Sequence, residues 1–278
     1  MIQNNTSISI ADMHTHSEHS HDSMCKIEDM LLSQIEKGTR IFAVTDHFDT
    51  DSYKDFDIFT PIENAFNEVA VLNEKYNGQC TVLSGLEISE GFWHPDVYNK
   101  IINFLPYDVV IGSVHVVNYK NITGAYSCVD FSKLDKATIA GFLDKYFDDM
   151  ITMLDNENFD ILAHLTCPLR YIIVKYKIDI DLSPYQDKIE EILRKIIQRG
   201  IALEINTSIF YASDEFMPSR DILRKYHEMG GYLLTLASDA HVSQNASIHF
   251  TEAIDTLKEI GFKNIYYYKK RKAYPINI

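Results

Sequence analysis

Residues 107–115 read YDVVIGSVH, a short apolar run that ends in a histidine. The run is rich in valine and isoleucine and has no polar alternation, so it predicts a strand that is buried on both faces. Six further runs have the same character: residues 7–13, 40–45, 80–88, 159–163, 201–205 and 232–237. Helical patterns lie between these runs. Strands that alternate with helices predict βαβ units and a parallel sheet.

Helix signals in the intervening stretches support this alternation. Thr60, which is followed by a proline, is expected to cap a helix that runs toward Gly78. Ser132 is expected to cap another that extends to about Leu154. Seven strand–helix units in one chain favour a nearly closed barrel, so the predicted fold class is α/β, a distorted seven-stranded (β/α)7 barrel in a single domain over residues 1–278. Further helices are expected at residues 26–37, 184–199, 218–229 and 248–260, and a last strand at residues 264–268.

Composition excludes several classes of protein. With 46% hydrophobic and 24% charged residues, the chain is typical of a soluble globular protein. The net charge of −14 argues against a general nucleic-acid binder, which needs a basic surface. No apolar run approaches the roughly 20 residues that cross a membrane, and no secretory signal is evident, so a cytoplasmic protein is expected. The four cysteines are widely spaced and predict neither a disulfide framework nor a thiolate zinc site.

Histidines and carboxylates recur where the predicted strands end. In a parallel α/β barrel the carboxyl ends of the strands converge on one face, which is where active sites form. Imidazole and carboxylate together suit Zn, Mn or Fe. Each motif alone has an ordinary alternative, such as a helix cap or a satisfied core histidine, but their shared position at six of seven strand ends predicts a metal site. The residues are His14, His16, His47, Glu87, His115, His164, Asp239 and His241.

Together these motifs resemble the polymerase-and-histidinol-phosphatase (PHP) family. The resemblance extends from about residue 10 to residue 275 and implies a distorted seven-stranded barrel with up to three divalent metals. The segments GLEI, YDVVIGSVH, EINTS and the YYYKKRK ending are similar to the histidinol-phosphate phosphatases of that family. This implies hydrolysis of L-histidinol phosphate in histidine biosynthesis. The motifs that carry the family resemblance are HTH (14–16), TDH (45–47), GLE (85–87), SVH (113–115), AH (163–164) and SDAH (238–241).

The resemblance implies three metal sites with one shared carboxylate. The third site takes one ligand from the loop HSEHSHDS: the family uses a histidine or an aspartate about six residues after the second histidine, a count that falls on Asp22, with His21 and His19 as close alternatives. The first site would use His14, His16, Glu87 and Asp239; the second Glu87, His115 and His164; and the third His47, His241 and Asp22.

Arg170 is the candidate for binding the substrate phosphate, since a guanidinium group matches a phosphate in a bidentate manner. Some relatives carry a second arginine after the INT motif, but this chain has Ser208 there. Arg220 is the candidate replacement, and Asn206 is expected to orient ligands or substrate. Glu87, Asp239 and Arg170 are the predicted catalytic residues: the carboxylates hold the metals that activate water, and the arginine stabilises the transition state.

Three alternative functions stay open at this level. A PHP enzyme could act on another phosphoester, such as a sugar phosphate, a nucleotide or a nucleic-acid end. A metal-dependent amidohydrolase also begins with an H-x-H motif, but that class bridges its metals through a lysine on strand 4. A non-catalytic metal protein would close its sites entirely with protein ligands. The expected partner is a small phosphorylated substrate, rather than nucleic acid or a membrane.

Overall fold

Seven parallel strands form the centre of the protein in a computed structural model that describes residues 10–278. These strands are neighbours in the sheet in the same order as they occur in the chain. A further short strand, β3 (His47–Asp49), pairs with residues 87–89 at the end of the third of them. The seven are β1 (Ile10–Thr15), β2 (Thr39–Val44), β4 (Thr81–Ser89), β5 (Val109–Ser113), β6 (Ile161–Leu162), β7 (Ala202–Asn206) and β8 (Leu234–Ala237). Residues 7–9 of the first predicted strand lie outside the described part of the chain.

The first and last strands of this sheet meet at their carboxyl ends. The backbone N–H of Asp239 donates to the carbonyl of His14, and that of His16 donates to the carbonyl of Ala240, both at 2.9 Å. These bonds bring the segment after β8 against the end of β1 and leave the sheet nearly closed. The prediction of a distorted seven-stranded α/β barrel is confirmed.

Helices cover the outside of the barrel and account for most of the stretches between strands. Within the described residues, no helix is both long and apolar enough to cross a membrane. The helices are α1 (Ile27–Glu36), α2 (Phe59–Lys75), α3 (Pro95–Ile102), α4 (Lys136–Asn156), α5 (Gln186–Arg199), α6 (Phe210–Ser213), α7 (Arg220–Glu228) and α8 (Phe250–Ile260).

Two predicted helix caps are wrong. Helix α2 begins at Phe59, and its free N–H groups are bonded by the Asp57 carboxylate instead of Thr60. Helix α4 begins at Lys136, where the Asp135 carboxylate accepts from the backbone of Thr138. Ser132 lies in a separate short 3-10 turn. In both cases an aspartate close in sequence accepts from the first N–H groups of the helix; Asp135 does so from the cap position itself and Asp57 from one residue before it.

The barrel interior is apolar at the amino ends of the strands. One cluster unites inward-facing side chains such as Ala11, Leu83, Val109 and Ala202. Tyr268 joins this cluster from an antiparallel hairpin, β9 (Asn264–Lys269) and β10 (Lys272–Asn277). The hairpin confirms the predicted last strand, although it is separate from the barrel sheet. Apolar packing thus fills one end of the barrel and leaves the carboxyl ends for other side chains.

Candidate metal centre

Glu87 is the central residue at the carboxyl ends of the strands. It faces the barrel interior near the end of β4, and it is 1% exposed. A carboxylate buried here requires partners, because burial of an unpaired charge is costly. Its two oxygens lie within 3.5 Å of ring nitrogens from five histidines: His14 (3.1 Å), His16 (3.5 Å), His47 (3.0 Å), His115 (3.2 Å) and His164 (3.0 Å).

One group of ligand atoms forms around Glu87 Oε2. The Nε2 atoms of His14 and His16 are 3.0 Å apart, and they lie 3.9 and 3.4 Å from Asp239 Oδ1. Donor atoms about 2.0–2.2 Å from one ion are separated by distances of this order. His14, His16 and Asp239 can therefore hold a metal together with Glu87. These are the residues expected for the first site.

A second group forms around the other oxygen of the same carboxylate. Glu87 Oε1 lies 3.2 Å from His115 Nε2 and 3.0 Å from His164 Nε2, and the two nitrogens are 3.5 Å apart. Glu87 thus presents one oxygen to each group. This arrangement allows a single carboxylate to bridge two metal ions.

A third group includes the loop after β1. Asp22 Oδ2 lies 3.0 Å from His241 Nε2 and 3.5 Å from His47 Nε2. The alternative loop histidines face other partners. His19 Nε2 lies 3.1 Å from Glu68, and His21 Nδ1 lies 3.6 Å from Asp49. Of these three loop residues, Asp22 is the one that lies beside His47 and His241.

Ionised carboxylates and histidine rings face one another in this cluster: burial by itself lowers the pKa values of His14, His47 and His115, but Glu87 and neighbouring carboxylates raise them well above their usual value. Burial by itself raises the pKa of Glu87, but the neighbouring histidines hold that pKa well below its usual range, so the group is a carboxylate. Burial and the nearby His47 and His241 lower the pKa of His16 well below its usual range, which leaves a neutral imidazole with a free lone pair. Glu87 Oε2 has no hydrogen-bond partner of normal geometry despite its close ring nitrogens. An ionised carboxylate facing crowded imidazole nitrogens is a donor set for divalent metals.

Comparison with known proteins identifies the family. The model of the PHP domain matches residues 12–208, more than two thirds of the chain. The chain belongs to the PHP domain family. Every ligand position discussed above except Asp239 and His241 lies within the matched region.

Similar proteins span nearly the same length as this PHP protein. A probable histidinol-phosphatase of Clostridium acetobutylicum is 27% identical over 266 residues, which cover 95% of this chain and 99% of the relative. The histidinol-phosphatase of Lactococcus lactis is 25% identical and covers 91% and 92%. A crystal structure of the Lactococcus lactis histidinol phosphate phosphatase, complexed with zinc, L-histidinol and phosphate, has a TM-score of 0.81 at 24% identity. It covers 96% of this chain and 100% of that one.

A buried carboxylate, Glu204, holds two of the candidate metal ligands of the PHP site in position. Glu204 Oε2 lies 2.7 Å from His14 Nδ1, and Glu204 Oε1 accepts from the backbone N–H of His164 at 3.0 Å. With Nδ1 engaged, His14 presents Nε2 to Glu87 and His16. Such outer partners fix the tautomer and orientation of a metal ligand. In the sequence, Glu204 lies near the end of the predicted strand at residues 201–205.

A second support was not predicted from the sequence. The Asp46 carboxylate accepts from the Ser20 hydroxyl at 2.9 Å and from the backbone and hydroxyl of Ser17 at 2.6 and 2.7 Å. The Ser20 hydroxyl also lies 3.1 Å from His16 Nδ1 and accepts from the backbone N–H of His47 at 3.0 Å. This chain of bonds connects ligands of the first and third groups. Asp46 belongs to the TDH motif, which was the available signal.

Arg170 lies in the PHP site. It lies at the start of a π-helical turn and lines the cavity above the metal-ligand groups. One of its terminal nitrogens donates to Asp239 Oδ2 at 2.7 Å and to the Ser208 hydroxyl. Burial by itself raises the pKa of Asp239, but the positive charge of the Arg170 guanidinium outweighs this effect and keeps that pKa well below its usual range. The arginine is thus held beside a candidate metal ligand.

The other two predicted substrate-binding residues do not line the cavity. Arg220 begins α7, where it pairs with Asp214 and Glu215, so acidic neighbours in its own loop hold it away from the site. Asn206 is fully buried behind Asp239 and donates to Asp239 Oδ2 at 3.2 Å. Asn206 thus bonds a candidate metal ligand and does not line the cavity.

The cavity over the ligand groups has a volume of about 640 Å³. Histidine and carboxylate side chains form its floor, together with Arg170. Among the described residues that line it, Arg170 is the only arginine, and none is a lysine. Its remaining wall contains acidic and aromatic side chains: Glu18, Asp49, Asp51, Asp57, Phe56, Tyr126 and Tyr171.

Proposed function

We propose that this PHP protein is a metal-dependent phosphomonoesterase that hydrolyses L-histidinol phosphate to L-histidinol and phosphate, as a step of histidine biosynthesis. The observation that carries the proposal is Glu87, one buried carboxylate whose two oxygens face two separate groups of histidine nitrogens. The relatives named for histidinol phosphatase activity support the choice of substrate.

The metal centre is proposed to contain three divalent ions, zinc, manganese or iron. The first would use His14, His16, Glu87 and Asp239, the second Glu87, His115 and His164, and the third Asp22, His47 and His241. Bound there, the metals supply Lewis acidity, which lowers the pKa of water to about 7 and offsets the charge of a phosphoryl group.

The protein's own residues bind and orient the substrate. Arg170 donates to the phosphate, where a positive group stabilises the charge that develops in phosphoryl transfer. Asp239, ionised beside Arg170, fixes the arginine from one side and remains available as a metal ligand. Glu204 and the Ser20–Asp46 pair hold the rings of His14 and His16 in place, so little reorganisation is needed when the substrate arrives.

The cavity wall is consistent with a substrate that is both anionic and cationic. The metals and Arg170 would take the phosphate, while the exposed acidic residues Asp51 and Asp57 also line the cavity. Histidinol phosphate carries a positively charged amine, which these carboxylates would attract. Opposite charges in opposite parts of a cleft orient a ligand of this kind.

A panel of phosphoesters tests the proposal. The metal-loaded protein is assayed by phosphate release with histidinol phosphate, a sugar phosphate and a nucleoside monophosphate. We expect kcat/KM for histidinol phosphate to exceed the others by at least about 100-fold. If another phosphoester gives the highest value, the protein is a PHP phosphatase with a different substrate.

An amidohydrolase is the less favoured alternative. That class bridges its metals through a lysine, and no lysine is found among the described residues that line the cavity. Hydrolysis of amides without phosphatase activity would favour it over the proposal above.

A further inference from the structure

Tyr126 lies on the cavity wall, beside the second group of metal ligands. It follows β5 in a loop that folds back on the strand, where its backbone N–H donates to the carbonyl of His115 at 3.0 Å. Its ring meets the rings of His115 and Tyr171 edge-on, with centroids 6.4 and 5.7 Å apart. The side chain is only 2% exposed, although it lines the cavity. Tyr126 is therefore held rigidly next to the reaction site.

The hydroxyl of this tyrosine is buried and has no hydrogen-bond partner. The Cys167 thiol lies close by, but sulfur is a weak acceptor and forms no bond of normal geometry with it. A buried hydroxyl without a partner destabilises the folded protein. A phenylalanine would fill the same space without this cost, so packing alone does not explain a tyrosine at this position.

Among the described residues that line the cavity and are not candidate metal ligands, only two carry a buried polar atom without a hydrogen-bond partner. Tyr126 has an unpartnered hydroxyl and Arg170 an unpartnered Nε. Both flank Cys167, which also lines the cavity. Two unused donors beside a phosphate-binding centre indicate a ligand with oxygen acceptors.

We propose that the Tyr126 hydroxyl donates a hydrogen bond to an oxygen of the phosphoester bound at the metal centre. This inference rests on the proposed phosphatase function and adds a substrate-binding residue to it. Burial raises the pKa of Tyr126 well above its usual value of 10, so the phenol keeps its proton and acts as a donor. No proton or bond is exchanged, and the tyrosine contributes only binding.

The test compares two buried tyrosines that lose the same atom. Tyr126→Phe removes the unpartnered hydroxyl. Tyr146→Phe is the matched control, because Tyr146 is equally buried, donates to the carbonyl of Leu165 at 3.2 Å and does not line the cavity. Metal-loaded forms of both variants are compared with the unmodified protein in thermal unfolding and in steady-state kinetics with histidinol phosphate.

The two variants are expected to respond in opposite ways. Tyr126→Phe should lower kcat/KM by about 10- to 100-fold, the effect of losing a hydrogen bond to a charged group, while Tm rises by roughly 2 °C. Tyr146→Phe should leave kcat/KM within about twofold and lower Tm, since it leaves a buried carbonyl without its partner. Unchanged kcat/KM in Tyr126→Phe, or a fall in kcat/KM that accompanies a fall in Tm, would overturn the inference.

Titration calorimetry with inorganic phosphate keeps this test separate from the proposed function. If the unmodified protein does not hydrolyse histidinol phosphate, the proposed function fails, and weaker phosphate binding by Tyr126→Phe still supports the inference. In an active enzyme whose kcat/KM falls in Tyr126→Phe, weaker phosphate binding assigns the bond to a phosphoryl oxygen. A loss in kcat with unchanged phosphate binding assigns it to the leaving-group oxygen. Phosphate binding and kcat/KM that are both unchanged contradict the inference.

Discussion

The two ends of the barrel are built from the same strands, but their buried side chains are apolar at one end and ionisable at the other. At the amino ends, Ala11, Val109 and Ala202 form an apolar interior that Tyr268 closes from the β9–β10 hairpin. At the carboxyl ends, the same inward-facing rows continue as Glu87 and Glu204, both nearly or fully buried. Along β4, for example, the inward position changes from Leu83 to Glu87 within one strand.

This difference separates stability from function within a single sheet. Apolar burial at the amino end stabilises the fold without any ligand, at about 25 cal/mol per Å². The carboxyl end concentrates ionisable groups that disfavour folding unless they are paired. A bound metal removes that cost, because it stabilises the folded state and has no preformed site in the unfolded chain. Substitutions at the two ends should consequently have distinct effects.

The largest effect is expected from Glu87→Gln, at the carboxyl end. The amide keeps the volume but loses the negative charge that is shared between two ligand groups, so metal binding at both should weaken. We expect kcat/KM with histidinol phosphate to fall by at least about 1,000-fold, together with the metal content measured by mass spectrometry.

Glu157→Gln is the matched control for this substitution. Glu157 is also a buried glutamate, it does not line the cavity, and burial raises its pKa to about 8, so at pH 7 it is already largely uncharged. Its replacement should leave activity and metal content within about twofold. Equal losses in the two variants would show that Glu87 has a merely structural role.

Tyr268→Ala, at the amino end, should produce the converse result. Removal of a buried aromatic side chain from the interior cluster should lower the free energy of unfolding by about 3–4 kcal/mol, as measured by urea denaturation. Metal content and kcat/KM at 25 °C should stay within about twofold. The hydroxyl of Tyr268 has no partner, so Tyr268→Phe should be at least as stable as the unmodified protein. A large loss of activity in folded Tyr268→Ala would contradict the separation of the two ends.

The ease of predicting each end from the sequence also differs. The strands and their candidate ligands follow from local patterns, because a buried parallel strand is mostly apolar and a histidine or carboxylate residue follows within two residues of its carboxyl end. His115 after YDVVIGSV and Asp239 after YLLTLA illustrate this. Asp22 was selected by its spacing within a loop, and the structure brings it to His241.

Other features depend on contacts that no local pattern records. Arg220 was assigned to the substrate because of its charge, yet acidic residues in the preceding loop bind it. Ser20 and Tyr126 belong to common residue types, and only the folded chain brings Ser20 to His16 and places Tyr126 in the cavity wall. The helix caps were misplaced by a few residues because several capping residues lay close together.

The smallest effect in this comparison is expected from Ser20→Ala. Loss of the hydroxyl that connects Asp46 with His16 should reduce metal affinity by about 10- to 100-fold, as for other residues that orient ligands. Competition with a chelator measures this affinity. Ser20→Thr, which restores a hydroxyl, should recover most of it. Ser127→Ala is the control, since Ser127 is an exposed residue of the cavity wall. Equal affinity in Ser20→Ala and Ser127→Ala would disprove the role of Ser20.

Reconstitution of metal-free protein tests the central claim most directly. Protein stripped by a chelator is titrated with zinc, manganese or iron, while bound metal per chain and histidinol phosphate hydrolysis are measured on the same samples. We predict no turnover without metal and full activity at three ions per chain. Full turnover of the metal-free protein, or a plateau of both binding and activity at one ion, would contradict the three-metal phosphatase.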